Sequence, residues 1–296
     1  MDQRRPSEFD QELLNLFDEY VHGGIDRRGF LERAAKFAVG GLTAAGLLDA
    51  LNPRFAEAQL VAKDDPRLKT QFVEYDSPQR TGKVRAYLAR PEAATGKLPA
   101  VLVVHENRGL NPHIEDITRR LALENFMALA PDALTPVGGY PGDEDKAREL
   151  FAKLDQSRAR EDFVTAAAWL KARADGTGKV GVVGFCYGGA IANMLATRVP
   201  DLAAAVPFYG TQPAAGDVPK IKAPLLIHYA ATDERVNAGW PAYEAALKAS
   251  NVAYTMHQYA GTQHGFNNNT TPRYDAAAAA LAWQRTVEFF NKHLRA

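Results

Sequence analysis

Cysteine is nearly absent from this chain: one residue in 296, Cys186. A lone cysteine has no partner for an internal disulfide, and the spaced Cys and His clusters of a zinc site are missing with it. Net charge is absent too. Thirty-five Lys and Arg balance 35 Asp and Glu, so no excess of one sign draws the whole molecule to nucleic acid or to an anionic membrane surface. Long apolar runs are also lacking. The mildly apolar stretch at 37–48 has about twelve residues, rich in Gly and Ala, against the roughly twenty that a spanning helix needs. No internal repeat is visible, and the alanine run at 276–280 is accounted for by helix propensity. What remains is a globular composition, 46% hydrophobic, fitting one catalytic domain of about 230 residues. Its expected partner is a small, roughly neutral molecule, and the open question is whether the single thiol reacts.

The first 58 residues read separately from the rest. Ile25-Asp26-Arg27-Arg28-Gly29-Phe30-Leu31 places paired arginines before two apolar residues, the apolar stretch at 37–48 follows, and Ala56-Glu57-Ala58 comes next. That order resembles a twin-arginine export signal cleaved after Ala58, which implies a periplasmic protein. The alternative is a retained helical arm on a cytoplasmic protein. Leu13, Leu14, Phe17 and Val21 recur at helical spacing, and that stripe would pack on the domain or on a second subunit, the latter giving a homodimer. Residues 59–70 read as a linker, and 71–296 as the catalytic domain.

Within that domain, 71–75 and 83–89 alternate as half-buried strands do, with Ser77, Pro78 and Gly82 supplying a turn, so an antiparallel edge hairpin is expected. Short runs that are apolar throughout then follow at 100–104, 128–130, 180–183, 203–208, 225–229 and 254–259. Such runs suit strands covered on both faces, which predicts a mostly parallel central sheet with helices on both sides. Helical spacing marks a segment opening at Pro112 with Ile114, Ile117 and Leu121 inward, further segments at 148–154, 160–172 and 190–198, and a C-terminal one at 276–294 with Leu281, Val287 and Phe290 facing the core. Nothing points to a second domain.

At the centre of Val180-Gly181-Val182-Val183-Gly184-Phe185-Cys186-Tyr187-Gly188-Gly189-Ala190 stands the pattern G-x-C-x-G. It is the G-x-S-x-G nucleophile elbow with sulfur for oxygen. A strained turn lifts the nucleophile out of the sheet, the flanking glycines let chain segments approach closely, and the opening helix favours negative charge on a thiolate and on an oxyanion beside the Tyr187 amide. On this fold the acid and base follow the nucleophile, each on a loop after a later strand. Asp233 lies just past the run at 225–229, with Glu234 as the competing carboxylate, and His264 lies in Gly261-Thr262-Gln263-His264-Gly265-Phe266 after the run at 254–259. His264 would take the thiol proton and return it to the leaving group. Asn107, in the loop after the first apolar run, is the candidate for the second oxyanion amide. Glu106 beside it is either part of the site or a surface ion pair with Arg108 or a nearby basic residue. Tyr140, Phe266 and Trp240, with Tyr187, are candidate pocket aromatics, while His105, His113, His228 and His257 read as structural.

These motifs, with His105-Glu106, resemble the dienelactone hydrolase (carboxymethylenebutenolidase) family from about residue 71 to the C-terminus. The resemblance implies an α/β-hydrolase fold without a large lid domain, hydrolysis of an ester or lactone through a Cys186-His264-Asp233 triad, and no metal or organic cofactor. It also implies that Glu106 holds the resting thiol and helps generate the thiolate. One feature departs. Family members acting on dienelactone hold its carboxylate with arginines after the triad histidine and in the loop after the third core strand, but residues 265–270 and 133–137 contain none. Arg273, further along, is not expected to stand in. A neutral or differently substituted ester is therefore expected. The competing reading is a non-catalytic fold kept as a thiol sensor or binding module.

Overall fold

The structure, a computed structural model, describes residues 9–39, 42–78 and 82–295. An eight-stranded sheet forms from β1 (Leu68–Asp76), β2 (Lys83–Pro91), β3 (Leu98–Val104), β4 (Met127–Pro131), β5 (Gly176–Phe185), β6 (Ala204–Phe208), β7 (Leu225–Ala230) and β8 (Tyr254–Tyr259), in the spatial order β1-β2-β4-β3-β5-β6-β7-β8. The expected hairpin is there: β1 and β2 pair antiparallel, as do β2 and β4, and every other pairing is parallel. Part of its turn, residues 79–81, lies outside the described residues. β1 also starts three residues inside the stretch read as linker. The rest of that stretch is tied down, because the amides of Leu60 and Val61 donate to Asp116 Oδ1 at 3.1 and 2.8 Å.

The continuous apolar strands are buried on both faces, as their composition requires. Leu102 and Val104 of β3 point to one side, toward α7 (Gln156–Lys171), α8 (Tyr187–Arg198) and α10 (Trp240–Ala249). Val101 and Val103 point to the other, toward α5 (Pro112–Leu123) and α11 (Ala276–Leu294). α5 opens as expected, with Asn111 capping and Pro112 in the first turn. In α11 the inward stripe is Ala278, Ala282, Thr286, Phe290 and Leu294, while Leu281 is 42% exposed. A spacing of four through small residues lets the helix lie close to the sheet, and Leu281 falls off that line. The parallel strands end at one rim, where open α/β sheets bind ligands. No inserted lid domain interrupts the described part of the sheet domain.

Before the sheet come α1 (Gln11–Val21), α2 (Arg27–Ala34), α3 (Ala44–Leu51) and the short α4 (Phe55–Ala58). They have a core of their own: Leu13, Leu14, Phe17, Tyr20, Phe30, Leu48 and Leu51 form an apolar cluster separate from the two clusters of the sheet. Fully burying a side chain such as Phe30 stabilises it by about 1.5–3 kcal/mol. The paired arginines open α2, capped by Asp26, whose side chain accepts from the Gly29 amide at 2.7 Å. Residues 40–41 of the apolar stretch lie outside the described residues. No described helix is long and apolar enough to cross a membrane.

Candidate active site

Cys186 joins β5 to α8 with φ at +55°, in the left-handed region that a side-chain-bearing residue adopts at a cost of about 1–3 kcal/mol. The neighbouring glycines explain how the turn is made. A Cβ on Gly184 would lie 1.9 Å from the Gly188 carbonyl oxygen, and one on Gly188 would lie 2.2 Å from that of Val104. No other residue allows β3, β5 and α8 to come so close. The Cys186 amide donates to the Phe208 carbonyl at 3.1 Å, which anchors the elbow to β6. Its thiol is left at the helix N-terminus, 9% exposed.

Asp233 lies three residues beyond β7 and caps α9 (Glu234–Asn237), its Oδ1 accepting from the Val236 amide at 3.3 Å. Its Oδ2 meets His264 Nδ1 at 2.5 Å. Glu234 points outward and is exposed, so the acid of this pair is Asp233. His264 rests against the Tyr209 ring with centroids 4.9 Å apart, and its Nε2 is buried without a hydrogen-bond partner.

A second imidazole faces the same sulfur. His22, which closes α1, brings Nε2 to 3.3 Å from Cys186 Sγ. Its Nδ1 is held by the Asp18 carbonyl at 2.8 Å and by the Asp18 carboxylate at 3.2 Å, and Arg273 donates to that carboxylate at 2.8 Å. One nitrogen from each of His22 and His264, together with Sγ, lie within 4.8 Å of one another. Burial opposes ionisation of the thiol, but the two imidazoles outweigh it and hold Cys186 well below its ordinary value. Burial likewise works against a charged His264, yet Cys186 and Asp233 raise it to about 10. His22 is raised in the same way by Cys186 and Asp18, and Asp18 is held well below the usual carboxylate range despite its burial. The resting site is thus arranged for a thiolate among imidazolium groups.

The loop after β3 faces this cluster from a third side. Asn107 donates its side-chain amide to the Val21 carbonyl at 2.8 Å, and Arg108 reaches the same carbonyl at 3.2 Å. Glu106 accepts from Asn268 Nδ2 at 2.8 Å, and among the described residues no hydrogen bond joins it to Cys186. The place beside the thiol that the resemblance implied for Glu106 is taken by His22. Arg108 lies 3.8 Å from Glu144 as well, and among the described residues no ion pair within 4.0 Å joins it to Glu106.

A cavity of about 520 Å³ opens at Cys186. His22, Tyr187, Phe151, Met194 and Tyr209 line it, with Arg235 at the rim. The aromatics expected from sequence divide differently. Phe266 is fully buried in the core between Phe208, Tyr209 and Tyr259. Trp240 packs on Tyr229 and Tyr254, and Tyr140 bonds Asp132 and Glu144. None of the three lines the cavity, because each ring is spent on other partners. The structural histidines are in place: His105 accepts from the Ala133 amide at 3.1 Å, and His228 bridges Tyr259 and Thr286. His113 is buried in the core and pushed down to about 4, while His257 stacks on His228. The residues that sequence reasoning missed are His22 and Asp18. Their only local signal was an Asp-His pair four apart at the end of an amphipathic helix.

Comparisons with known proteins identify the family. The family model described as "Dienelactone hydrolase family" matches residues 84–294, and a second, "YqhI-like", matches residues 1–36. The "Putative hydrolase fragment YghX" of Escherichia coli is 52% identical over 114 residues, 38% of this chain and 97% of that one. The "Putative carboxymethylenebutenolidase" of the same species is 33% identical over 231 residues, 73% of this chain and 85% of its own. Among solved structures, a "Putative Dienelactone Hydrolase" from Klebsiella pneumoniae superposes with a TM-score of 0.68 at 30% identity, over 76% of this chain and 99% of that one.

Proposed function

This chain belongs to the dienelactone hydrolase family and is a hydrolase of that type, and from this premise we propose that it cleaves a carboxylic ester or lactone through a thioester on Cys186, with His264 and Asp233 completing a triad. The observation that carries the reading is the 2.5 Å pairing of His264 with Asp233 beside a thiol held on a strained strand-to-helix turn.

The thiolate attacks the carbonyl carbon, and the carbonyl electron pair moves onto oxygen, where the Tyr187 and Asn107 amides receive it. Collapse of this adduct breaks the bond to the alcohol oxygen, which leaves with a proton from an imidazolium of the site, and the neutral imidazole so formed later takes one from water. Water then attacks the thioester, and the sulfur departs as thiolate. Asp233 keeps His264 in the tautomer whose Nε2 faces the sulfur.

Several features favour a neutral acyl group. The two buried arginines at this rim are already engaged, Arg273 by Asp18 and Arg108 by the Val21 carbonyl. The cavity wall also carries apolar and aromatic side chains, Phe151, Tyr187, Ile191, Met194 and Tyr209, with Arg160 and Arg235 as its cations.

The test is turnover of p-nitrophenyl acetate, p-nitrophenyl butyrate and dienelactone by the full chain and by Cys186→Ala, with matched acidic and neutral esters alongside. Cys186-dependent turnover that prefers neutral esters is expected. A strong preference for the acidic member would overturn the neutral assignment. Reversible oxidation of Cys186 with no turnover of any ester would instead favour the thiol-sensor reading.

A further inference from the structure

We propose that the N-terminal arm supplies a catalytic residue of this enzyme: His22, oriented by Asp18, exchanges protons with the leaving alcohol and the attacking water at Cys186. The inference rests on the thioester reading above and deepens it.

Three observations carry it. The first is contact with the reacting atom. His22 Nε2 lies 3.3 Å from Sγ, within hydrogen-bonding reach of the reacting atom. The second is access. His22 lines the cavity in which a leaving group must lie, and His264 does not. A proton donor has to reach the departing oxygen directly or through one water, so position decides between the two imidazoles. The third is support. Nδ1 of His22 is committed to Asp18, and Asp18 is fixed in turn by Arg273, which repeats in a helix what Asp233 does for His264. An imidazole held only as filler would not need a half-buried carboxylate with its own arginine behind it.

The arm is also secured at the points that set the position of His22. Val21 is gripped by Asn107 and Arg108, Arg148 donates to the carbonyls of Tyr20 and Ile25 at 3.3 and 3.4 Å, and Arg27 pairs with Asp145 at 2.6 Å. The charged and titratable groups facing His22 are Asp18 on its own helix, Cys186 and His264 across the site, Arg235 at 3.4 Å on the rim, and Arg273 behind Asp18.

The proton accounting closes. At rest the sulfur is a thiolate and His22 an imidazolium. In acylation the C–S bond forms, the C–O bond to the alcohol breaks, and the His22 Nε2 proton passes to the departing alkoxide. In deacylation neutral His22 takes a proton from water as its oxygen bonds to the thioester carbon. The C–S bond then breaks with its pair returning to sulfur, which releases the acid and restores the starting charges.

The experiment compares leaving groups in the full chain. p-Nitrophenolate departs without needing a proton, whereas the alkoxide of an alkyl ester does need one. His22→Gln is expected to lower kcat/KM for alkyl acetates by about 10²–10³-fold, and to lower the acylation burst on p-nitrophenyl acetate at least tenfold less. In His22→Ala, added imidazole is expected to restore alkyl-ester turnover. In Asp18→Asn the alkaline limb of kcat on alkyl esters is expected to move to lower pH, because a carboxylate that holds the imidazolium charged has gone. Equal loss on both leaving groups without imidazole rescue would overturn the proposal in favour of a packing role, and faster turnover without His22 would overturn it in favour of a plug. Failure of the thioester reading would look different: no Cys186-dependent burst in the wild-type chain.

Discussion

Two carboxylate–imidazole pairs face one sulfur, and they are built in opposite ways. Asp233 and His264 stand on loops that leave neighbouring parallel strands, β7 and β8, so their 2.5 Å contact is set by the register of a buried sheet. Asp18 and His22 stand one turn apart on a helix whose apolar core is separate from that of the sheet, and polar contacts from Asn107, Arg108, Arg148 and Arg273 help hold that helix at the rim. The sheet-borne pair is a product of global folding. The arm-borne pair is a product of docking, and its geometry depends on a few hydrogen bonds worth about 0.5–1.5 kcal/mol each, more where charge is involved. The contrast teaches that one reaction centre can combine groups of very different local stability.

The largest expected effect breaks the sheet-borne pair. His264→Gln should lower kcat/KM on p-nitrophenyl acetate by about 10³–10⁴-fold, and Asp233→Asn by a similar factor through loss of the correct tautomer. Steady-state kinetics on folded variants checks both. Next in size is the core of the arm. Phe30 is fully buried between Phe17 and Tyr20, so Phe30→Ala should cost about 3–5 kcal/mol, and amides of α1 and α2 should lose protection from hydrogen exchange while β5 keeps its own.

A pH measurement sharpens the comparison further. Because the thiol is held well below its ordinary value of 9.0, its thiolate persists as pH falls, and alkylation of Cys186 by iodoacetamide should stay fast from pH 9 down through neutrality. Removing either imidazole takes away part of that stabilisation, so the inflection should move to higher pH in His22→Gln and in His264→Gln. Equal inflections in all three proteins would refute the shared stabilisation. The smallest effect is expected from Asn107→Ala, which removes one hydrogen bond to Val21 at about 0.5–1.5 kcal/mol. It should speed exchange in α1 alone.

The sheet-borne half of the site was legible in the sequence because its signals are local and ordered. Each apolar run became a strand within about four residues of its expected ends, and Cys186, Asp233 and His264 each follow one in the required order. The arm-borne half was not, because nothing near His22 marks it as a partner of a residue 164 positions away. A histidine at the end of an amphipathic helix reads as a surface group until tertiary contacts are known. Phe266 and Leu281 failed for a related reason. Sequence shows that an aromatic lies in a loop or a leucine in a helix, but only packing decides which way the side chain turns. Glu106 was identified by analogy, and its carboxylate is bound by Asn268 instead.

The paired arginines acquire a second meaning from where they stand. Arg27 opens α2 and reaches Asp145 on the sheet domain, in the same continuous segment that carries Asp18 and His22. A stretch that served as a detachable address label, cut after Ala58, would take with it His22, which lines the cavity and faces the sulfur. Trimmed and untrimmed chains would then be two different catalysts, and the state of the N-terminus in a given compartment would decide which chemistry that compartment possesses.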